Sequence, residues 1–230
     1  MPSALSLRHE LKYQINAGEY MILSQLLDTL LSRDKHGDKF NEYRIRSLYF
    51  DSPFNDALYE KLSGVPERSK YRIRLYNNND KHIRLECKRK VGDLTSKEAL
   101  VIPRDLAEQL IARDSAGLLE TNEPLLHQMW REMATHLARP VVIVEYIREA
   151  YTFPAEDVRI TFDKQLRSGF NSIDLFNPDV PLIDPFTSPT IILEVKYNRA
   201  LALHIHNLLC SISAMRQSYS KYTICRSVLN

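Results

Sequence analysis

The stretch Ile191–Tyr197, "IILEVKY", reads as a buried strand that carries a carboxylate and an ammonium two residues apart. Strand side chains alternate between faces, so Glu194 and Lys196 share one face with Ile192, while Ile191, Leu193 and Val195 share the other. The relation recurs: Glu10 and Lys12 in "HELKY", and Glu86 and Lys88 in "RLECKRK".

The alternation extends through other strand-like runs. In "YRIRLY", Arg72 and Arg74 oppose Tyr71, Ile73 and Leu75; in "HIRLECKRK", Arg84, Glu86, Lys88 and Lys90 oppose Ile83, Leu85 and Cys87. Arg44 and Arg46 share a face, as do Tyr146 and Arg148, and Arg159, Thr161 and Asp163. One wet face of an antiparallel sheet explains any single strand of this kind. Across many strands, however, the polar faces are dominated by Arg and Lys rather than Ser, Thr or Asn. Eight or so strands joined mostly by short turns predict an α+β fold, an eight-stranded antiparallel barrel closed with these faces inward and helices over the apolar exterior. "KYTICRSVL" near the C-terminus reads as a further strand.

Helical segments are few. Asn16 and Glu19 form a capping-box pattern before an apolar helical face, Ser52-Pro53 opens a short helix that Gly64 closes, and Pro103 opens another. The segment from Pro124 to about Leu137 and the Leu201–Ile212 region complete the set. With 230 residues and no linker-like tract, the chain reads as one domain, 1–230.

A net charge of +2 argues against nucleic-acid binding through bulk charge. No signal-like apolar core or membrane-length apolar run is present, which points to a cytoplasmic protein with no membrane segment. Three widely spaced cysteines suggest reduced thiols rather than a disulfide framework or zinc site. Six glycines leave no phosphate-cradling Gly-rich loop. His204 and His206, two apart on a helix, face different ways.

Arginine forks and lysine ammoniums converging from several strands suit a chain of linked phosphates, since one phosphate needs only a few such donors. A carboxylate among them would repel that ligand unless a divalent cation lay between, and Mg²⁺ is typically held by one or two carboxylates plus phosphate oxygens. Glu194 is the first choice for that ligand. Glu10 and Glu86 fit equally well as neutralising partners of neighbouring lysines.

Nine short motifs, in order, give the chain a specific resemblance: "RHELKY", "RSLYFDSP", "KYRIRLY", "LECKRK", "SKEAL", "EYIREAY", "VRITFD", "LEVKY" and "SKYTIC". Together they resemble a VTC-type polyphosphate polymerase domain of the triphosphate tunnel metalloenzyme superfamily. The resemblance implies a metal-dependent enzyme, using Mn²⁺ or Mg²⁺, that moves the γ-phosphate of ATP onto polyphosphate inside a basic tunnel, with triphosphate or pyrophosphate as related ligands. Carried over residue by residue, Arg72, Arg74, Lys88, Arg148, Arg159, Lys196 and Lys221 would be catalytic. Lys12, Arg46, Lys90, Lys97, Tyr146, Ser220 and Glu10 would bind substrate, and Glu194 the metal. Tunnel triphosphatases open with E-x-E-x-K, whereas Arg8 stands at the first acidic position here, which favours the polymerase branch. A CYTH-like triphosphatase and a non-catalytic polyphosphate-binding module are the alternatives.

Overall fold

The computed structural model describes residues 8–35, 37–154, 157–170, 172–210, 212 and 216–228. The deciding stretch is β10 (Ile191–Tyr197), paired antiparallel with β1 (His9–Ile15) on one side and β8 (Val158–Gly169) on the other. From β8 the sheet continues through β7 (Arg139–Phe153), β3 (Glu42–Asp51), β4 (Glu67–Tyr76) and β5 (Asn79–Val91) to β6 (Leu94–Ile102). Two short strands, β2 (Ser32–Arg33) and β9 (Leu182–Ile183), attach to β7 and β8. Register shifts in the β3–β7, β7–β8 and β4–β5 pairs bend these long strands.

The edges β1 and β6 meet through Arg8 and Thr95, whose backbones exchange hydrogen bonds of 3.1 and 3.2 Å. Among the described residues that bridge is what joins the two rims, and it is the correction to the expected barrel. The sheet is curled and its rims touch, but no continuous ladder closes it among the described residues.

Hydrocarbon lies outside, as the alternation requires. Leu193 and Val195 of β10 pack with Ile160 and Phe162 under α1 (Ala17–Leu30) and α5 (Leu203–Cys210). The capping box opens α1: Glu19 N–H donates to Asn16 Oδ1 and Asn16 N–H to Glu19 Oε2, both at 3.0 Å. Ile73, Leu75, Ile83 and Leu85 pack with Leu48 and Phe50 under α3 (Arg104–Ile111) and α4 (Pro124–Thr135). α2 (Asp56–Leu62) follows the predicted Ser52-Pro53 turn, its first N–H groups bonded to Asp51.

The expected strand "KYTICRSVL" is instead a helix, α6 (Lys221–Ser227), and it packs within the curl against β7 and β8. Its β-branched residues suggest a strand, but Ser220 caps it by accepting from Thr223 N–H, and Tyr222 and Cys225, three apart, bury together. Tyr222 also donates to Asp51, tying α6 to the start of α2. Around α6 gather Tyr49, Leu58, Val142, Val144 and Leu166, so one part of the inner face is apolar and filled.

Candidate functional site

Where the inner face is not filled by α6 it encloses a cavity of about 410 Å³, within the size range of small-ligand sites. Twelve lining side chains are Lys or Arg against three carboxylates, so the space is strongly cationic. β1, β10, β7, β4 and β5 supply most of them, joined by Lys61 of α2 and the segment Arg216–Tyr222.

Cross-strand register organises the deeper charges. Arg72 opposes Glu86, Arg148 opposes Asp163, Lys12 opposes Glu194 and Lys196 opposes Glu10, so cation and anion alternate from strand to strand. Glu86 is fully buried and accepts from Arg72 Nε at 2.8 Å and from its terminal nitrogen at 2.7 Å, with Arg74 at 3.6 Å and Lys97 at 3.2 Å. Asp163, also fully buried, takes both forks of Arg148 at 2.6 and 2.8 Å and the ammonium of Lys221. Glu194 faces Arg148, Lys196 and Lys12 at 3.4, 3.5 and 3.6 Å, and Glu10 faces Lys88 at 2.6 Å and Lys12 at 3.7 Å. This answers why a buried strand carries Glu-x-Lys: cations crowded into a low-dielectric space need counter-charge within a few ångströms.

Burial alone would raise these carboxylates, yet their partners hold them ionised. Arg74, Arg72 and Lys97 keep Glu86 far below the usual range, and Lys196, Lys12, Lys221 and Lys88 do the same for Glu194. Burial lowers Lys221, but Asp163 and Glu194 outweigh it and raise it. The opposite holds for Lys70, which burial and the charges of Lys12, Lys61, Arg68 and Lys88 push down to about 7. Lys88 goes down to about 8 through burial and Lys12, with Glu10 and Glu194 offsetting part of it.

Neutral hydroxyls help to hold the arginines. Tyr49 hydroxyl accepts from Arg72 at 2.7 Å, Ser47 from Arg74 Nε at 3.0 Å, and Tyr146, at the irregular β7–β8 register, from Arg74 at 3.3 Å. The 216–221 segment is laid along β1: Gln217 N–H donates to Lys12 C=O at 2.9 Å, and Lys12 Nζ to Tyr219 C=O at 3.1 Å.

Twelve of the residues proposed from sequence line this one cavity: Glu10, Lys12, Arg72, Arg74, Lys88, Lys90, Tyr146, Arg148, Glu194, Lys196, Ser220 and Lys221. Three do not. Arg46 shares parity with Leu48 and Phe50, so it faces outward, where it is buried against Glu145 at 2.7 Å and the carbonyls of Leu175, Asn177 and Pro178. Arg159 has inward parity but is engaged by Asp34 and by Tyr43 hydroxyl. Lys97 touches Glu86 from the flank, its side chain 45 % exposed. Sequence reasoning missed Lys61, Arg68, Lys70 and Arg216. Arg68 and Lys70 were legible, having the parity of Arg72 and Arg74; Lys61 and Arg216 come from a helix and a loop with no periodic signal.

Among the described residues no cluster of three or more His, Cys, Asp or Glu could cage a metal ion. The donor set nevertheless fits a divalent cation that takes oxygen ligands. Glu10 and Glu194 flank the Lys12 ammonium, and the buried hydroxyl oxygen of Thr161, opposite Glu194, has no hydrogen-bond partner. No helix among the described residues is long and apolar enough to cross a membrane.

Residues 7–230 match the sequence model of the VTC domain. Similar solved structures include a Hippeastrum protein, assigned as an adenylyl cyclase and described as having a dominant triphosphatase activity. It is 15% identical, with a TM-score of 0.55 over 96% of this chain and 95% of that one. The PH1819 protein from Pyrococcus horikoshii OT3 is 14% identical, with a TM-score of 0.52 over 96% and 99%. A chain of the Schizosaccharomyces pombe Mediator head module is 7% identical, with a TM-score of 0.53 over 92% and 100%. At these identities the likeness concerns the fold, and its spread over such different proteins leaves chemistry to be argued from the site. No curated protein matches the chain significantly.

Proposed function

The chain belongs to the VTC domain family, and from that premise we propose that it is a metal-dependent polyphosphate polymerase, moving the γ-phosphoryl group of ATP to the end of a polyphosphate chain held in the cationic cavity. The observation that carries the reading is the cavity's charge: twelve cationic side chains and three carboxylates around one enclosed space. Such a surplus calls for a polyanion.

In the proposed reaction a terminal oxygen of the acceptor chain forms a bond to the γ-phosphorus, and the bond from that phosphorus to the β–γ bridging oxygen breaks, releasing ADP. The acceptor oxygen is already ionised, so no base is required. The transition state is loose and highly charged, which makes positioning and charge stabilisation the protein's main contributions. Arg72, Arg74 and Arg148, held by buried carboxylates, would present fixed forks to phosphate oxygens, and Lys196 and Lys221 would add point charges. Mn²⁺ or Mg²⁺, held by Glu194 with Glu10 beside it, would neutralise charge on the phosphate oxygens. Lys12, Lys88, Lys90, Tyr146 and Ser220 would bind the chain.

A second reading is a triphosphatase, with water as acceptor. Glu10 and Glu194 are held low by their cations and make poor bases for water, which favours a phosphate acceptor. Lys70, pushed down to about 7, and Lys88, down to about 8, are lining groups able to take a proton from water, and they give the triphosphatase its support together with the activity described for the Hippeastrum protein. Incubation with ATP and Mn²⁺ followed by product sizing separates the readings. Long-chain polymer supports the polymerase, free phosphate alone the triphosphatase, and saturable polyphosphate binding without turnover a binding module.

A further inference from the structure

The charge register of the β4–β5 pair changes partway along. Arg72 opposes Glu86, an attractive pair, but the next inward positions set Lys70 opposite Lys88 and Arg68 opposite Lys90. Directly opposed like charges destabilise a sheet. Lys88 has Glu10 as counter-charge, whereas Lys61, Arg68 and Lys70 have no carboxylate within 4.0 Å among the described residues. They are held by neutral oxygens: Lys61 by Ser218 hydroxyl at 2.6 Å, Lys70 by Ser220 hydroxyl at 3.1 Å, and Arg68 by Val65 carbonyl. All three line the cavity described above.

The cavity thus has two parts. In one, each arginine is fixed by a buried carboxylate; in the other, cations from β4 and α2 face one another and are hydrogen-bonded to neutral oxygens, two hydroxyls and a carbonyl. Burial and this mutual repulsion lower Lys61 and Lys70 alike, and burial lowers Arg68 although the more distant Glu60 opposes it. A fold accepts such crowding where a ligand supplies the missing negative charge.

We propose that Lys61, Arg68 and Lys70, with the hydroxyls of Ser218 and Ser220, form a second phosphate subsite that holds the part of a linear phosphate chain extending beyond the carboxylate-anchored arginines, and so sets the preference for chain length. This rests on the reading of the cavity as a polyphosphate site. Because Lys61 belongs to α2, Arg68 and Lys70 to β4 and the serines to the segment before α6, the extended chain would touch three elements that direct hydrogen bonds already join.

The test compares three ligands by calorimetry at fixed ionic strength: inorganic tripolyphosphate, a long linear polyphosphate and ATP. Wild type is expected to bind the long chain at least about tenfold more tightly than tripolyphosphate, the scale of one charge-assisted hydrogen bond. Lys61→Ala and Arg68→Ala should each erase most of that ratio. Both remove a repelled cation, so the unliganded variants should melt no lower than wild type. A wild-type ratio near one, or a ratio unchanged in both variants, overturns the proposal while leaving the cavity's own reading intact. Failure of wild type to bind tripolyphosphate would sink the underlying reading instead. A loss confined to ATP would assign the cluster to the nucleotide rather than to the extended chain and would also overturn the proposal.

Discussion

Replacing Glu86 by Gln removes one negative charge and almost no volume, yet it strips the shared counter-ion from Arg72, Arg74 and Lys97 at a fully buried position. Removing one partner of a buried ion pair costs about 3–5 kcal/mol, because the other charge stays buried and uncompensated. For a chain of this size each kcal/mol lowers the melting temperature by about 2–4 °C, so Glu86→Gln should melt about 6–20 °C below wild type. A polyanion in the cavity would restore the lost counter-charge. Tripolyphosphate at about a hundredfold above its Kd is worth about 2.7 kcal/mol to any protein that binds it only when folded. The variant's upward shift should therefore equal or exceed that of wild type. Scanning fluorimetry with and without tripolyphosphate provides the assay. An unchanged melting temperature, or a ligand shift in wild type that is absent in the variant, would refute the reasoning.

Glu194→Gln should lose roughly a hundredfold in metal-stimulated turnover, the usual scale for removing a preorganised charge group, while keeping the wild-type circular dichroism spectrum. Arg46→Ala should destabilise by about 3–5 kcal/mol, because it leaves the buried Glu145 with the more distant Arg44, at 4.0 Å, yet leave tripolyphosphate affinity unchanged in calorimetry. Lys70 carries a pH signature. Its folded value of about 7 lies below the unfolded lysine value, so between about pH 7 and pH 10 the unfolded chain binds the extra proton and stability rises with pH. Unliganded Lys70→Gln should therefore melt above wild type near pH 7, with the gap closing as the pH approaches 10. Tripolyphosphate affinity should fall as Lys70 and then Lys88, at about 8, lose their protons, and titration of binding against pH checks this.

Much of the fold was legible because strand parity is binary. In β10, Leu193 and Val195 could only go to hydrocarbon once Glu194 and Lys196 shared the other face, and the same logic oriented β4 and β5. Parity also contains the answer for Arg46, since Leu48 and Phe50 lie on its face and set that face toward hydrocarbon despite the arginine's charge. What parity cannot supply is position along the strand. Arg159 faces inward, but Asp34 and Tyr43 engage it. Nor does local sequence reveal a helix whose reason to form is tertiary: β-branched α6 is stabilised by the Ser220 cap, the Tyr222–Asp51 bond and an apolar seat among Tyr49, Val142 and Leu166. The Arg8–Thr95 bridge between the sheet's rims was likewise beyond reach, because edge pairing depends on curvature accumulated over eight strands.

The account stands on phosphate lying within the curl of the sheet, and a crystal structure of the protein with tripolyphosphate and Mn²⁺ tests that most directly. Phosphate oxygens within hydrogen-bonding distance of Arg72, Arg74, Arg148 and Lys221, with the metal against Glu194, are the predicted result. Tripolyphosphate bound only on the exterior, with the inner arginines still turned to Glu86 and Asp163 alone, would contradict it.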